Sequence, residues 1–231
     1  MIIEPVAYIR TEFSEKFGIP RQSGLAGSLI GRIVFEPEYR NPDALRGLHD
    51  FSHLWLIWEF SANIRGERSQ WQPTVRPPRL GGNTYMGVFA TRSPFRPNPL
   101  GLSCVEIDRI DLSTPEGPVI YVRGADLMDG TPIYDIKPYI SYADSRPHAV
   151  SGYVDRLNER NLKVVIPSEM TTGITDKSIM PALVETLQLD PRPSYHDDPE
   201  RVYGLSFAGY NVRFTVSDGI LTVVEIRQNS L

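Results

Sequence analysis

Asp135, Lys137 and Tyr139 recur at every second position in "DGTPIYDIKPYI", residues 129–140. On an extended chain that spacing places an acid, a base and a phenol on one face. They follow the turn Asp129-Gly130-Thr131-Pro132, so the cluster reads as a place where a proton could be moved, with a solvated strand face as the plain alternative. A second grouping is "GVFATRSPFRPNPLGLS", residues 87–103. Proline fixes φ and pushes the residue before it toward extended backbone. Pro94, Pro97 and Pro99 therefore stiffen a segment that carries Arg92 and Arg96, and planar guanidinium forks on a stiff loop can hold a ligand at fixed geometry. "IPRQSGL", residues 19–25, adds the directional donors Arg21 and Gln22 after Pro20, with Gly24 permitting close approach of backbone. In "HDFSH", His49 and His53 stand four apart with Asp50 between them. On a helix that spacing would suit a metal. The chain runs on as "LWLIWEF", which has the look of a strand, so the helical geometry is not expected and no metal site is assigned.

Charge points to a polyanionic partner. The chain carries a net −4, yet residues 61–102 hold six Arg (Arg65, Arg68, Arg76, Arg79, Arg92, Arg96) against one acid, Glu67, a local +5 that leaves −9 for the rest. A basic segment in an acidic chain is a candidate surface for phosphates, and the exclusive use of Arg over Lys favours bidentate or stacking contacts. "LDPRPSYHDDPERVYG", residues 189–204, repeats the proline-stiffened design around Arg192, Tyr195 and His196.

The elements that must position these residues read mainly as β. The 231 residues suit one large domain or a large and a small one. "PVAYIRTEF", "GSLIGRIVF", "YMGVFATR", "LSCVEIDRID" and "VIYVRGADL" are short apolar-rich runs bounded by turn residues, and the denser "FSHLWLIWEF" reads as a strand buried on both faces. Such a series predicts a barrel or sandwich rather than alternating βαβ units. No GxGxxG follows a strand, so the Rossmann fingerprint is absent. Asn41 as N-cap and Pro42 predict a short helix in "NPDALRGLHD". The single cysteine, Cys104, lies in a strand-like run and is expected to be a buried, inert thiol. No signal-peptide pattern or apolar run of about 20 residues occurs, which predicts a cytoplasmic protein without a membrane. The polar, turn-rich stretch 143–161 divides the chain into 1–147, a β-barrel domain, and 148–231, a small α+β domain. In the second, "LKVVIP" reads as a strand, "PALVETLQLD" as a helix opened by Pro181, and 210–228 as a hairpin turning at Asp218-Gly219.

"IPRQSGL", "HDFSHLWLIWEF", "GVFATRSPFRPNPLGLS", "DGTPIYDIKPYI" and "LDPRPSY", in this order and spacing, closely resemble the TsaA-like family and, within it, its bacterial tRNA (adenine-N6)-methyltransferases. The resemblance runs across nearly the whole chain. It implies an antiparallel β-barrel that binds S-adenosylmethionine, homodimerisation, and methylation of N6 of the threonylcarbamoyl-adenosine beside the anticodon of tRNA. Carried over by position, it implies cofactor contacts from Pro20, Arg21 and Gln22, from His49 and Asp50, from Arg92 and Leu102, and from Asp129, Gly130, Thr131 and Pro132. Within that chemistry Asp135 is expected as general base, with Tyr139 orienting it and Lys137 on a phosphate or carboxylate. Arg65, Arg68, Arg76, Arg79 and Arg192 are expected on tRNA. Two other readings stay open: an RNA-binding barrel without chemistry, and a metal-dependent hydrolase built on His49, Asp50 and His53.

Overall fold

The structure is a computed structural model that describes residues 2–63, 71–157, 161–192 and 198–229. Arg65, Arg68, Tyr195 and His196 lie outside the described residues. Alternation builds the first unit. β1 (Ala7–Arg10), β2 (Ile30–Phe35) and β3 (His53–Glu59) each bury every second residue. β4 (Thr74–Val75) and β5 (Met86–Gly87) form a small separate ladder. β6 (Leu100–Thr114), β7 (Gly117–Arg123) and β8 (Pro132–Pro138) then complete a closed antiparallel barrel in the order β1-β2-β7-β6-β3-β8. Closure satisfies every strand edge. Ile9, Ile33, Leu54, Leu56, Val105, Ile120, Val122 and Ile133 fill its interior.

A short helix α1 (Ser141–Asp144) leads out of the barrel. Beyond it, β9 (Lys163–Val165), α2 (Met180–Gln188), β10 (Tyr203–Phe207), β11 (Tyr210–Ser217) and β12 (Ile220–Gln228) form a four-stranded sheet, in the order β10-β11-β12-β9, with one helix. Pro181 sits in the first turn of α2. Asp218 and Gly219 make the hairpin turn with φ of 50° and 75°, the left-handed pair that matches strand twist. This unit has its own core of Leu183, Leu187, Leu205, Val212, Phe214 and Leu221. That core also takes Phe13, Ala26 and Leu29 from the chain between β1 and β2. The segment 13–29 thus leaves the barrel and packs on the C-terminal sheet. Phe13 meets Phe207 edge-on at 5.4 Å between ring centroids. Ser28 donates its N–H and hydroxyl to Glu185 of α2 at 2.8 and 2.7 Å.

Four local readings are corrected. β3 is buried on one face only, with His53, Trp55, Ile57 and Glu59 half-buried on the outer wall. Only Met86–Gly87 of "YMGVFATR" is strand; Val88–Ala90 turns away as a 3-10 helix. The reason is Arg96, whose guanidinium donates to the carbonyls of Thr91 at 2.7 Å and Val88 at 3.3 Å and folds the loop onto itself. The helix expected at 41–50 is two 3-10 turns, Pro42–Leu45 and Leu48–Asp50, broken by Gly47 at φ 82°. Asn41 does cap the first, accepting from the Asp43 N–H at 3.0 Å. Cys104 is half-buried rather than buried, and burial pushes its thiol up, holding it protonated at neutral pH.

Candidate active site

A cavity of about 430 Å³ opens at one end of the barrel, where β3 ends and β6 begins. That volume lies in the range of small-molecule sites. Its walls come from four places: the loop around Pro20, Arg21 and Gln22; the end of β3 with Trp58, Glu59 and Phe60; Arg92 and Arg96 of the proline-rich loop with Leu100–Leu102; and Asp126–Met128 with Thr131. Folding explains the convergence. Arg92 donates to the Gln22 side-chain oxygen and so ties the proline-rich loop to the 19–25 loop. Arg21 donates to the Asp190 carbonyl at 3.4 Å, which anchors the same loop to the C-terminal unit.

Of the residues expected at the cofactor, Pro20, Arg21, Gln22, Arg92, Leu102 and Thr131 line this cavity. Asp129, Gly130 and Pro132 belong to the turn that carries Thr131 but do not line the cavity themselves. Asp129 accepts from the Thr11 N–H at 3.1 Å and faces Arg10 at 3.6 Å. Gly130 takes φ 74°, and Pro132 begins β8. His49 and Asp50 are separated from the cavity by the length of β3, about 20 Å at the rise of a strand. They pair with each other at 3.3 Å, both about three-quarters exposed. His53 bonds Ser52 at 2.8 Å, and no cluster of three metal-ligating side chains occurs among the described residues.

Asp135, Lys137 and Tyr139 do share a face, but it is the outer wall of the barrel rather than the cavity. Asp135 bonds Lys137 at 2.8 Å and accepts from the Ile136 N–H. Tyr139 packs near His53 and Trp55, each ring about 6.0 Å away. Within one chain Asp135 therefore does not face the space where a small molecule would react. Arg76 and Arg79 line a second groove of about 1900 Å³ between the 72–95 segment and the C-terminal unit, which shares Arg21, Gln22, Thr91 and Arg92 with the cavity, and Arg76 covers the Tyr85 ring at 4.5 Å. Arg192, expected on tRNA, is corrected. It is 7% exposed and forked onto Asp190 at 2.8 and 3.0 Å, so its donors are spent inside the protein.

The sequence reading missed the polar floor of the cavity. Trp58 donates its indole N–H to the Ser103 hydroxyl at 3.0 Å, and Ser103 donates to Asp126 at 2.6 Å. Ser103 is 2% exposed and Trp58 is 7% exposed. Beside it, the Tyr134 hydroxyl donates to Glu59 at 2.7 Å, and desolvation followed by that bond pushes the phenol up to about 12. The one available signal was Ser103 itself, a polar residue at an inward position of an alternating strand.

Gly101 gives Trp58 its place. It pairs with Trp58 across β3 and β6, and a Cβ on it would stand 2.2 Å from the indole. Gly101→Ala is expected to cost about 1–3 kcal/mol by overpacking. It should also move the Trp58–Ser103 bond, read as a shift in tryptophan fluorescence beside a lowered denaturation midpoint.

The tRNA-methyltransferase O N-terminal domain family matches residues 8–145, and the TrmO C-terminal domain family matches residues 159–229. A relative in Escherichia coli (strain K12), named tRNA (adenine(37)-N6)-methyltransferase, is 40% identical over 222 residues, 93% of each chain. A protein of Pyrococcus abyssi named "Probable S-adenosyl-L-methionine-binding protein" is 32% identical over 152 residues, 66% of this chain and 75% of its own. A crystal structure of TrmO from Pseudomonas aeruginosa superposes with a TM-score of 0.77 at 28% identity, covering 98% of both chains.

Proposed function

The chain belongs to the TrmO family, and on that premise we propose that it transfers the methyl group of S-adenosylmethionine to N6 of adenine 37 in tRNA, in the threonylcarbamoyl-adenosine form of that nucleoside. The observation that carries the reading is the cavity at the barrel end, where arginines, an aromatic wall and a partly buried carboxylate converge. The donor set fits the cofactor. S-adenosylmethionine carries a carboxylate and a flat aromatic adenine, and the cavity offers Arg21 and Arg92 for the first and Trp58, Phe60 and Leu102 for the second. Pro20, Arg21, Gln22, Arg92, Leu102 and Thr131 would hold it, and bound there it supplies an electrophilic methyl carbon. What the chain contributes is alignment. Methyl transfer needs donor and acceptor in line, and a loop stiffened by three prolines and clamped by Arg96 limits the freedom that would spoil it.

The alternative readings find no support in relatives named as methyltransferases. Transfer of label from methyl-labelled S-adenosylmethionine to tRNA, resolved by nucleoside analysis, tests the proposal. Label on the threonylcarbamoyl-adenosine is expected; label absent, or equal on tRNA lacking that group, counts against it. We take residues 1–147 as the cofactor-binding domain and 148–231 as the domain that supports tRNA binding and a homodimer, in the cytoplasm. No described helix is long and apolar enough to cross a membrane.

Arg76 and Arg79 face tRNA phosphates in this reading, together with Arg65 and Arg68. Phosphate contacts act through counterion release. Arg76→Ala and Arg79→Ala should each weaken tRNA binding and flatten the salt dependence by up to about one counterion per contact, with cofactor affinity unchanged. A salt titration of tRNA affinity beside sedimentation checks this. An unchanged slope with altered subunit association would assign the surface to a dimer contact instead.

A further inference from the structure

The cavity contains two carboxylates, Glu59 and Asp126, and they are not equivalent. Glu59 accepts the Tyr134 hydroxyl at the rim. Asp126 stands at the end of a buried chain of donors. Trp58 gives its indole N–H to Ser103, and Ser103 gives its hydroxyl to the Oδ1 atom of Asp126. Both donors are nearly sealed from water. Such a chain fixes the carboxylate plane at the wall of the cavity. Backbone N–H groups of Ser23 and of Asp126 itself add to the hold.

Resting on the methyltransferase reading, we propose that Asp126 is the general base that takes the proton from the acceptor nitrogen, and that Ser103 and Trp58 position it. An exocyclic adenine nitrogen carries a hydrogen that must leave for a neutral product. Asp126 takes that proton as the nitrogen's electron pair forms the bond to the methyl carbon and the carbon–sulfur pair returns to sulfur. The donor thereby loses its positive charge, Asp126 becomes neutral, and the proton passes to solvent on product release. A general base works best when its pKa approaches the working pH. Burial raises the Asp126 carboxyl above the usual carboxylate range, against the lowering effects of the Ser103 hydroxyl, its backbone bonds and the Arg92 charge. The other charged groups around the cavity are Lys16, Arg21, Arg96 and Glu59. Asp135, by contrast, is bonded to Lys137 on the outer wall.

The test uses the full chain with S-adenosylmethionine and tRNA bearing threonylcarbamoyl-adenosine. Asp126→Asn is expected to lower kcat by roughly 10²–10⁴-fold while changing cofactor affinity, read by calorimetry, by less than about tenfold. Ser103→Ala removes a bond that favours the charged form. It should move the Asp126 carboxyl carbon titration, read by NMR on the unliganded protein, to higher pH, and the acid limb of the rate profile with it. Folded Asp126→Asn with turnover near normal overturns the proposal. So does a loss confined to cofactor affinity, which would make Asp126 a cofactor contact. If Asp126→Asn does not fold, an unmoved titration and an unmoved limb in Ser103→Ala overturn it equally. Label transfer by the unaltered protein keeps the failure of this proposal separate from failure of the methyltransferase reading.

Discussion

Asp190→Asn is expected to destabilise the protein by about 3–5 kcal/mol, because it breaks a buried ion pair at one partner. Asp190 and Arg192 are each 7% exposed at the side chain and share two bonds, at 2.8 and 3.0 Å. Arg192 also lies 5.9 Å from the Tyr203 ring, inside the unit rather than at its surface. The substitution is chosen because Asp190 adopts φ 50°, which Asn tolerates without added strain. Shape and backbone are therefore conserved and only charge is lost. Asp190→Asn with Arg192→Met removes both partners and should recover most of the loss, since replacing a whole buried pair by apolar volume is often close to neutral. Denaturant midpoints at constant slope measure both. Equal losses in the single and double variants would mean that packing of the Arg192 stem, not the broken ion pair, carries the cost.

Phe13→Ala is expected to cost a similar 3–5 kcal/mol, the usual range for emptying a phenylalanine site in a core. Its consequence should reach further. Phe13 is fully buried against Phe207, and it anchors the segment that goes on to Pro20–Gln22 at the cavity. Gly18 approaches the sheet so closely that a Cβ would stand 2.1 Å from Leu205, so the segment has little room to resettle. Cofactor affinity should fall along with stability. Phe214→Ala, at a fully buried site of the same core on β11, is the control. It should match the loss of stability and leave cofactor affinity nearly unchanged. Equal affinity losses in the two variants would show that global loosening, and not the 13–29 anchor, weakens the site.

Those two variants mark where sequence reasoning reached its limit. The hairpin of β11 and β12 was legible because Val212, Phe214 and Val216 alternate with polar residues and Asp218-Gly219 can only turn there. Alternation made a barrel or a sandwich legible, the family resemblance narrowed it to a barrel, and the closed arrangement of six strands is that barrel. The allegiance of Phe13, Ala26 and Leu29 was not legible. Their neighbours in space lie far along the chain, and nothing in a short apolar run says which core it will join. Asp126 was hidden similarly. It is a lone acid between Ala125 and Leu127, and its partners Ser103 and Trp58 are brought to it only by closure of the barrel. Asp135, Lys137 and Tyr139 were easier to see because their period is local. Period fixes a shared face, but the register of β8 against β3, with its bulge at Ile57/Trp58, decides that this face is the outer wall. The break in the 41–50 helix had a visible cause in Gly47, whose left-handed backbone ends the turn.

The central claim is that the methyl donor sits in the cavity at the barrel end. A co-crystal with S-adenosylhomocysteine tests it most directly, because this product of the transfer shares the donor's shape without its reactivity. Difference density is expected between the Pro20–Gln22 loop, Arg92 and the Asp126–Thr131 turn, with Trp58 and Ser103 unmoved beneath it. Density instead on the outer wall at Asp135 and Lys137, or at His49 and Asp50 with the cavity vacant, would contradict it.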